Sequence, residues 1–148
     1  RAPVDLGRPA LARIGRFFAL VPAGPIPALD ALAADAVRFF DRFRAPPSEA
    51  EIARRRPDDL TERQRSYLRA WGYPFVFDAF RFHMTLTGPV PDERAGRMRA
   101  ALAAHFEAAM EAPLPLDTVS LVVEADPPGP FRLHTRQPLA GAPKAEVA

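Results

Sequence analysis

The chain contains no cysteine. Disulfides, thiolate metal sites and cysteine nucleophiles are thereby excluded, and no oxidising compartment is needed. Lysine is nearly missing too, with Lys144 the single one among twenty basic residues. An excess of charge is missing as well: eighteen acidic residues leave a formal net charge of +2. That balance does not describe a polyanion-binding surface. Arginine at the other nineteen basic positions, beside abundant alanine, reads as the codon bias of a GC-rich genome. No apolar run reaches the ~18 residues of a membrane span, and the start lacks the charged and apolar regions of a signal peptide. A cytoplasmic location with no membrane partner is therefore expected. Glycine-rich phosphate loops of the Walker or dinucleotide type are absent. The three histidines are scattered and show no zinc spacing, so neither metal nor cofactor is expected. Ser48, Ser66 and Ser120 lie outside any nucleophile elbow.

What the chain does have is 148 residues, 48% of them hydrophobic, and eighteen prolines. That length suits one domain burying roughly two-thirds of its unfolded surface. Residues 1–12 read as an extended lead-in. Ile14–Val21 is a short apolar run closed by Pro22, the pattern of a buried strand. From Pro27 the period turns helical, with Leu29, Leu32, Ala36, Val37 and Phe40 in one stripe that ends near Phe43. Pro27 suits the first helical turn, and Pro46-Pro47 prevent continuation.

Residues 44–72 read as a helical insert. Ser48 with Glu51, and Thr61 with Gln64, have the capping-box spacing. The first of these helices stops before Pro57 and the second before Gly72. Arg54-Arg55-Arg56 then falls at a helix C-terminus, where cations offset the macrodipole. Phe75–Thr87 is a second strand region, followed by a helix over 93–111 with Asp92 as N-cap. Leu116–Glu124 and Phe131–Arg136 read as two further strands, and residues 137–148 as a flexible tail. The expected architecture is a single α+β domain over 1–148, a mostly antiparallel sheet with helices packed on one face.

The stretch from Phe80 to Thr87 carries the chemistry. Side chains on a strand alternate between faces, so Phe80, Phe82, Met84 and Leu86 make one apolar face. Arg81, His83, Thr85 and Thr87 share the other. Arginine presents a planar fork matched to phosphate oxygens. Threonine adds a hydroxyl donor. Histidine, whose ordinary pKa is near ~6.5, can take or give a proton at neutral pH. The bland alternative is a half-solvated strand with ordinary polar residues outward.

The residues from Trp71 to Val76 and from Phe80 to Gly88, with Phe17–Pro22 upstream, resemble an uncharacterised bacterial family found in phosphonate-utilisation operons. Phe43-Arg44-Ala45-Pro46 and Leu60-Thr61 extend the resemblance, which runs from about Pro9 to Leu139. That family looks like a branch of the two-histidine (2H) phosphoesterases. The resemblance implies a bilobal α+β fold in which each lobe supplies one H-x-T/S motif. One histidine serves as general base and the other as general acid, without metal, while the threonines hold phosphate oxygens. The implied substrates are cyclic phosphates and phosphodiesters, a cyclic ribose phosphate among them. His83 and Thr85 match the second H-x-T and are the implied catalytic pair. Arg81 and Thr87 join them as substrate-binding residues through strand alternation alone.

The chain contains one H-x-T only. The first motif of such enzymes would precede Arg1, so the chain is expected to be the second lobe with its N-terminal lobe absent. Completion by that lobe, or by a homodimer, is an open expectation. His134 is the candidate substitute for the second histidine, because alternation would place it on one face with Arg132 and Arg136. His105 borders the apolar stripe of its helix and reads as a core-edge residue. Two other functions stay open, a non-catalytic phosphate- or RNA-binding module and a half-domain that needs a partner segment.

Overall fold

A computed structural model describes residues 1–125 and 129–141. The chain begins with three strands, β1 (Val4–Asp5), β2 (Pro9–Ile14) and β3 (Phe17–Pro22). Helices α1 (Pro27–Phe40), α2 (Glu49–Arg54) and α3 (Glu62–Trp71) follow, with short 3-10 turns between them. Next come β4 (Met84–Thr85), α4 (Asp92–His105) and α5 (Glu107–Glu111). The strands β5 (Pro115–Leu116), β6 (Thr118–Glu124) and β7 (Phe131–Pro138) complete the order. No helix among the described residues is long and apolar enough to cross a membrane. The class is α+β, and the paired strands β1–β5, β2–β3 and β6–β7 are all antiparallel.

Where one domain is expected, the chain forms two compact units. One is Arg1–Ala23 together with the chain from Thr85 onward, and the other is Gly24–Met84. The expected insert at 44–72 is thus the middle of a larger inserted unit.

In the first unit, the expected lead-in is part of the structure. Val4 and Leu6 are buried, and β1 pairs with β5 through Val4–Leu116 and Asp5–Pro115. Pro9 opens β2, a position where the missing N–H removes no ladder bond from the strand interior. The expected strand Ile14–Val21 is instead the closing end of a hairpin. Ile14 pairs with Phe17 across a two-residue loop, and Gly15 takes φ 56° at its first position. Positive φ at that place is the type II′ requirement, which glycine meets without strain. Phe18, Ala19 and Leu20 on β3 form the centre of this unit's core, with Phe18 fully buried. Helices α4 and α5 lie against β2. The expected single helix over 93–111 breaks at Phe106, whose φ of −101° and ψ of 11° leave the helical region.

Strands β6 and β7 form a separate two-stranded ribbon. Leu121 pairs with Thr135 and Val122 with Leu133, so His134 is an extra residue opposite that step, a β-bulge. The expected tail is partly strand: Gln137 and Pro138 belong to β7, and the Leu139 N–H donates to the Asp117 carbonyl at 2.7 Å. The rest of that expectation, residues 142–148, lies outside the described residues.

The inserted unit follows local signals closely. Pro27 stands at the start of α1, and both capping boxes form, Ser48 with Glu51 and Thr61 with Gln64. Gly72 closes α3 at φ 71°, in the left-handed region. The expected strand Phe75–Thr87 is mostly not one. It contains a 3-10 turn at Phe77–Ala79 and becomes regular only at Met84–Thr85. Phe77 itself has φ 54°, an uncommon conformation for a bulky residue. Its ring packs edge-on against Tyr67 and Trp71 at centroid distances of 5.5 and 5.0 Å, and the Arg38 guanidinium covers it at 5.0 Å. Tyr67 donates its hydroxyl hydrogen to Asp78 next door. These contacts hold the strained residue in place.

Truncating Phe18→Ala should lower the unfolding free energy of the first unit by about 3–5 kcal/mol. Urea titration followed by fluorescence or NMR would measure it. A loss below about 1 kcal/mol would show that Phe18 is not the core anchor.

Candidate functional site

The site begins where the chain leaves the inserted unit. Arg81, His83 and Thr85 are exposed, while Phe82, Met84 and Leu86 between them are partly buried. The alternation expected of a strand therefore holds here, although the ladder is regular for only two residues. His83 Nδ1 lies 2.8 Å from the Arg81 carbonyl oxygen. A carbonyl only accepts, so Nδ1 carries the hydrogen and the neutral ring has its lone pair on Nε2. Among the described residues, the Thr85 hydroxyl and the Arg81 guanidinium meet no protein partner.

Thr87 behaves differently from the rest of the expected set. Its hydroxyl accepts from the Phe18 N–H at 3.1 Å and donates its one hydrogen to the Gly88 carbonyl at 2.8 Å. Beside it, the Leu86 N–H donates to the Phe18 carbonyl at 2.9 Å, and the Val90 N–H to the Arg16 carbonyl. Thr87 thus extends the pairing with β3 by standing in for a main-chain acceptor. That use leaves it no hydrogen for a phosphate oxygen.

Arg13 on β2 fastens the end of the same segment. Its NH2 donates to the Val90 carbonyl at 3.1 Å and to Asp92 Oδ1 at 2.6 Å. The hydrogen bond and charge of Arg13 hold the Asp92 carboxyl below its ordinary value of 3.8. Nothing in the sequence pattern points to this pair, whose members are 79 positions apart. Only the fold brings them together.

His134 stands at the bulge of the ribbon, with Nδ1 2.8 Å from Thr135 Oγ1. The expected face shared by Arg132, His134 and Arg136 does not exist. Arg132 pairs with Val123 and Arg136 with Ser120, which are neighbours of opposite parity on β6, so the two arginines point to opposite faces. One extra residue flips everything beyond it. His105, expected at a core edge, is exposed at the end of α4 with its ring edge-on to Phe106 at 4.8 Å.

An α+β chain with antiparallel strand pairing is the class these features define. By sequence, the chain belongs to the family described as "Protein of unknown function (DUF1045)", whose model matches residues 1–132. It is also similar to a protein named ribose 1,5-bisphosphate phosphokinase PhnN from Janthinobacterium sp. (strain Marseille). The two are 40% identical over 129 residues, covering 84% of this chain and 28% of the relative. A protein of the same name from Laribacter hongkongensis (strain HLHK9) is 33% identical over 124 residues, again covering 84% and 28%. The chain therefore spans a little over a quarter of the length of these curated relatives. No solved structure matches it.

Two outcomes follow from the pinned segment. Thr87→Val should cost about 0.5–1.5 kcal/mol of stability through the lost hydrogen bond. Calorimetry that finds Thr87→Val as stable as the parent would remove that role. The Arg13–Asp92 pair contributes stability that is fully present above the carboxyl's unfolded value and is lost as pH falls through its lower folded value. An acid titration of stability should therefore show a falling limb from pH 3.8 downward that is missing in Asp92→Asn. Identical acid limbs would contradict it.

Proposed function

We propose that this chain is a lobe of a 2H-type phosphoesterase. Its reaction is the metal-independent hydrolysis of a cyclic phosphate or phosphodiester in phosphonate or nucleotide metabolism. The observation that supports this most is the H-x-T itself: His83 and Thr85 at exposed positions, with the imidazole oriented through Nδ1 by the Arg81 carbonyl. In that tautomer Nε2 is the basic nitrogen. It takes a proton from the attacking water, and the protonated ring, or a second histidine from another segment, gives one to the leaving oxygen. Thr85 donates to a non-bridging phosphate oxygen, and Arg81 offsets its charge. Thr87 serves the backbone instead.

The names of the two relatives refer to a phosphorylated ribose, which makes a ribose phosphate the substrate class to try first. Their name is that of a kinase, and the phosphoester hydrolysis proposed here is a different reaction. A half-domain completed by a further segment is a second reading, favoured by the ribbon β6–β7. There Leu121, Val122, Phe131 and Leu133 are exposed, Phe131 to 70%.

Hydrolysis of a cyclic ribose phosphate and of 2′,3′-cyclic nucleotides should be measured on this chain and on the longer Janthinobacterium relative. His83→Ala should reduce turnover about 10²–10⁴-fold, and Thr85→Ala by about tenfold or more. Turnover that survives His83→Ala unchanged would sink the assignment. Turnover that appears only on addition in trans of the portion of the relative outside the match would show that the chain needs completion by a further segment.

A further inference from the structure

A hollow of about 170 Å³ in the inserted unit is lined by Arg44, Arg54 and Arg55, together with Pro46, Glu51 and Gly72. Three arginines from two parts of the sequence, Arg44 and the adjacent pair Arg54-Arg55, line it with one carboxylate. Glu51 Oε2 accepts from both the Ser48 N–H and the Ser48 hydroxyl at 2.8 Å in the capping box. The Ser48 hydrogen bonds, and after them the charges of Arg54 and Arg55, hold the Glu51 carboxyl below its ordinary value of 4.5, so it stays ionised and offsets one of the three cations.

Arg44 is set in place by its surroundings. Its Nε and NH2 reach Asp41 Oδ1 at 2.9 and 2.8 Å, and NH2 also donates to the Ala70 carbonyl at 3.2 Å. Gly72 makes room for it, because a Cβ there would come 2.9 Å from Arg44 NH1. NH1 itself donates to no group among the described residues. Arg55 lies over the Tyr73 ring at 4.8 Å, which orients the guanidinium without using its hydrogens. Arg54 makes no hydrogen bond or ion pair to the described residues. The C-terminal end of a six-residue helix accounts for one or two cations. It does not account for their convergence with an anchored third from a different element.

We infer that this hollow is a binding site for a phosphate oxyanion, either free phosphate or the phosphate end of a small phosphorylated ligand. The chemistry is the match between arginine forks and tetrahedral oxygens. Size argues for a small group. A volume of 170 Å³ falls below the ~300–1,000 Å³ of pockets that enclose drug-sized ligands, so it admits a phosphate and a few attached atoms. The site does not depend on the His83 reading, since none of its lining residues belongs to the H-x-T segment.

The test is a titration of the protein with inorganic phosphate and, separately, with ribose 5-phosphate, followed by calorimetry and by the arginine Nε–H resonances in NMR. Both probes should shift the Arg44 and Arg55 signals, and the tighter probe identifies the source of the phosphate. In Arg54→Gln/Arg55→Gln the affinity should fall at least tenfold while the thermal midpoint stays within a degree or two. Acetate at the same ionic strength should not compete. Affinity unchanged in the double variant, absence of binding at millimolar phosphate, or equal binding of acetate would each overturn the inference. Because the double variant leaves His83 and Thr85 intact, phosphoester hydrolysis tests the other reading separately.

Discussion

The complete burial of Phe18 organises the first unit, because one residue serves three neighbours at once. Its ring is covered by the Arg99 and Arg13 guanidiniums at 5.5 and 6.0 Å. Its carbonyl accepts from Leu86 and its N–H donates to the Thr87 hydroxyl. The two arginines are themselves tethered. Arg13 bonds to Val90 and Asp92, and Arg99 on α4 reaches the Leu11 carbonyl at 3.4 Å. Hairpin, helix and the segment after Thr85 thus meet at one residue. Arg13 meets its partners through NH2 alone, and its buried Nε has no hydrogen-bond partner among the described residues.

That arrangement also holds the segment after Thr85. The residues just past Thr85 are held by the hairpin, because Leu86 and Thr87 bond to the main chain of Phe18 and Val90 to that of Arg16 in the turn. The His83 ring is oriented locally by the Arg81 carbonyl two residues earlier.

How much of this was legible from residues alone depends on the range of the interaction. Pro27, both capping boxes and Gly72 are local devices, and α1, α2 and α3 begin or end where those residues say. The alternation of Arg81, His83 and Thr85 is local too, and it survives even though the ladder there is short. What could not be read is set by distant partners. Gly15 inside an apolar run gave no sign of which strands it joins. Thr87 has the pattern of a ligand-facing residue but is claimed by Phe18, 69 positions away. The Arg54 and Arg55 charges look like helix-end residues until Arg44 is seen beside them. The division into two units likewise depends on which distant segments pack together, which no window of sequence reports.

The bulge at His134 has an evolutionary side. Leu133 and Thr135 each keep a regular partner on β6, so excision of His134 would bring two existing pairs together and leave every other pairing unchanged. The ribbon could therefore gain or lose a residue at this point by a single codon event without re-aligning its strands. Deletion of His134 is thus the shortening of β7 that this pairing accommodates.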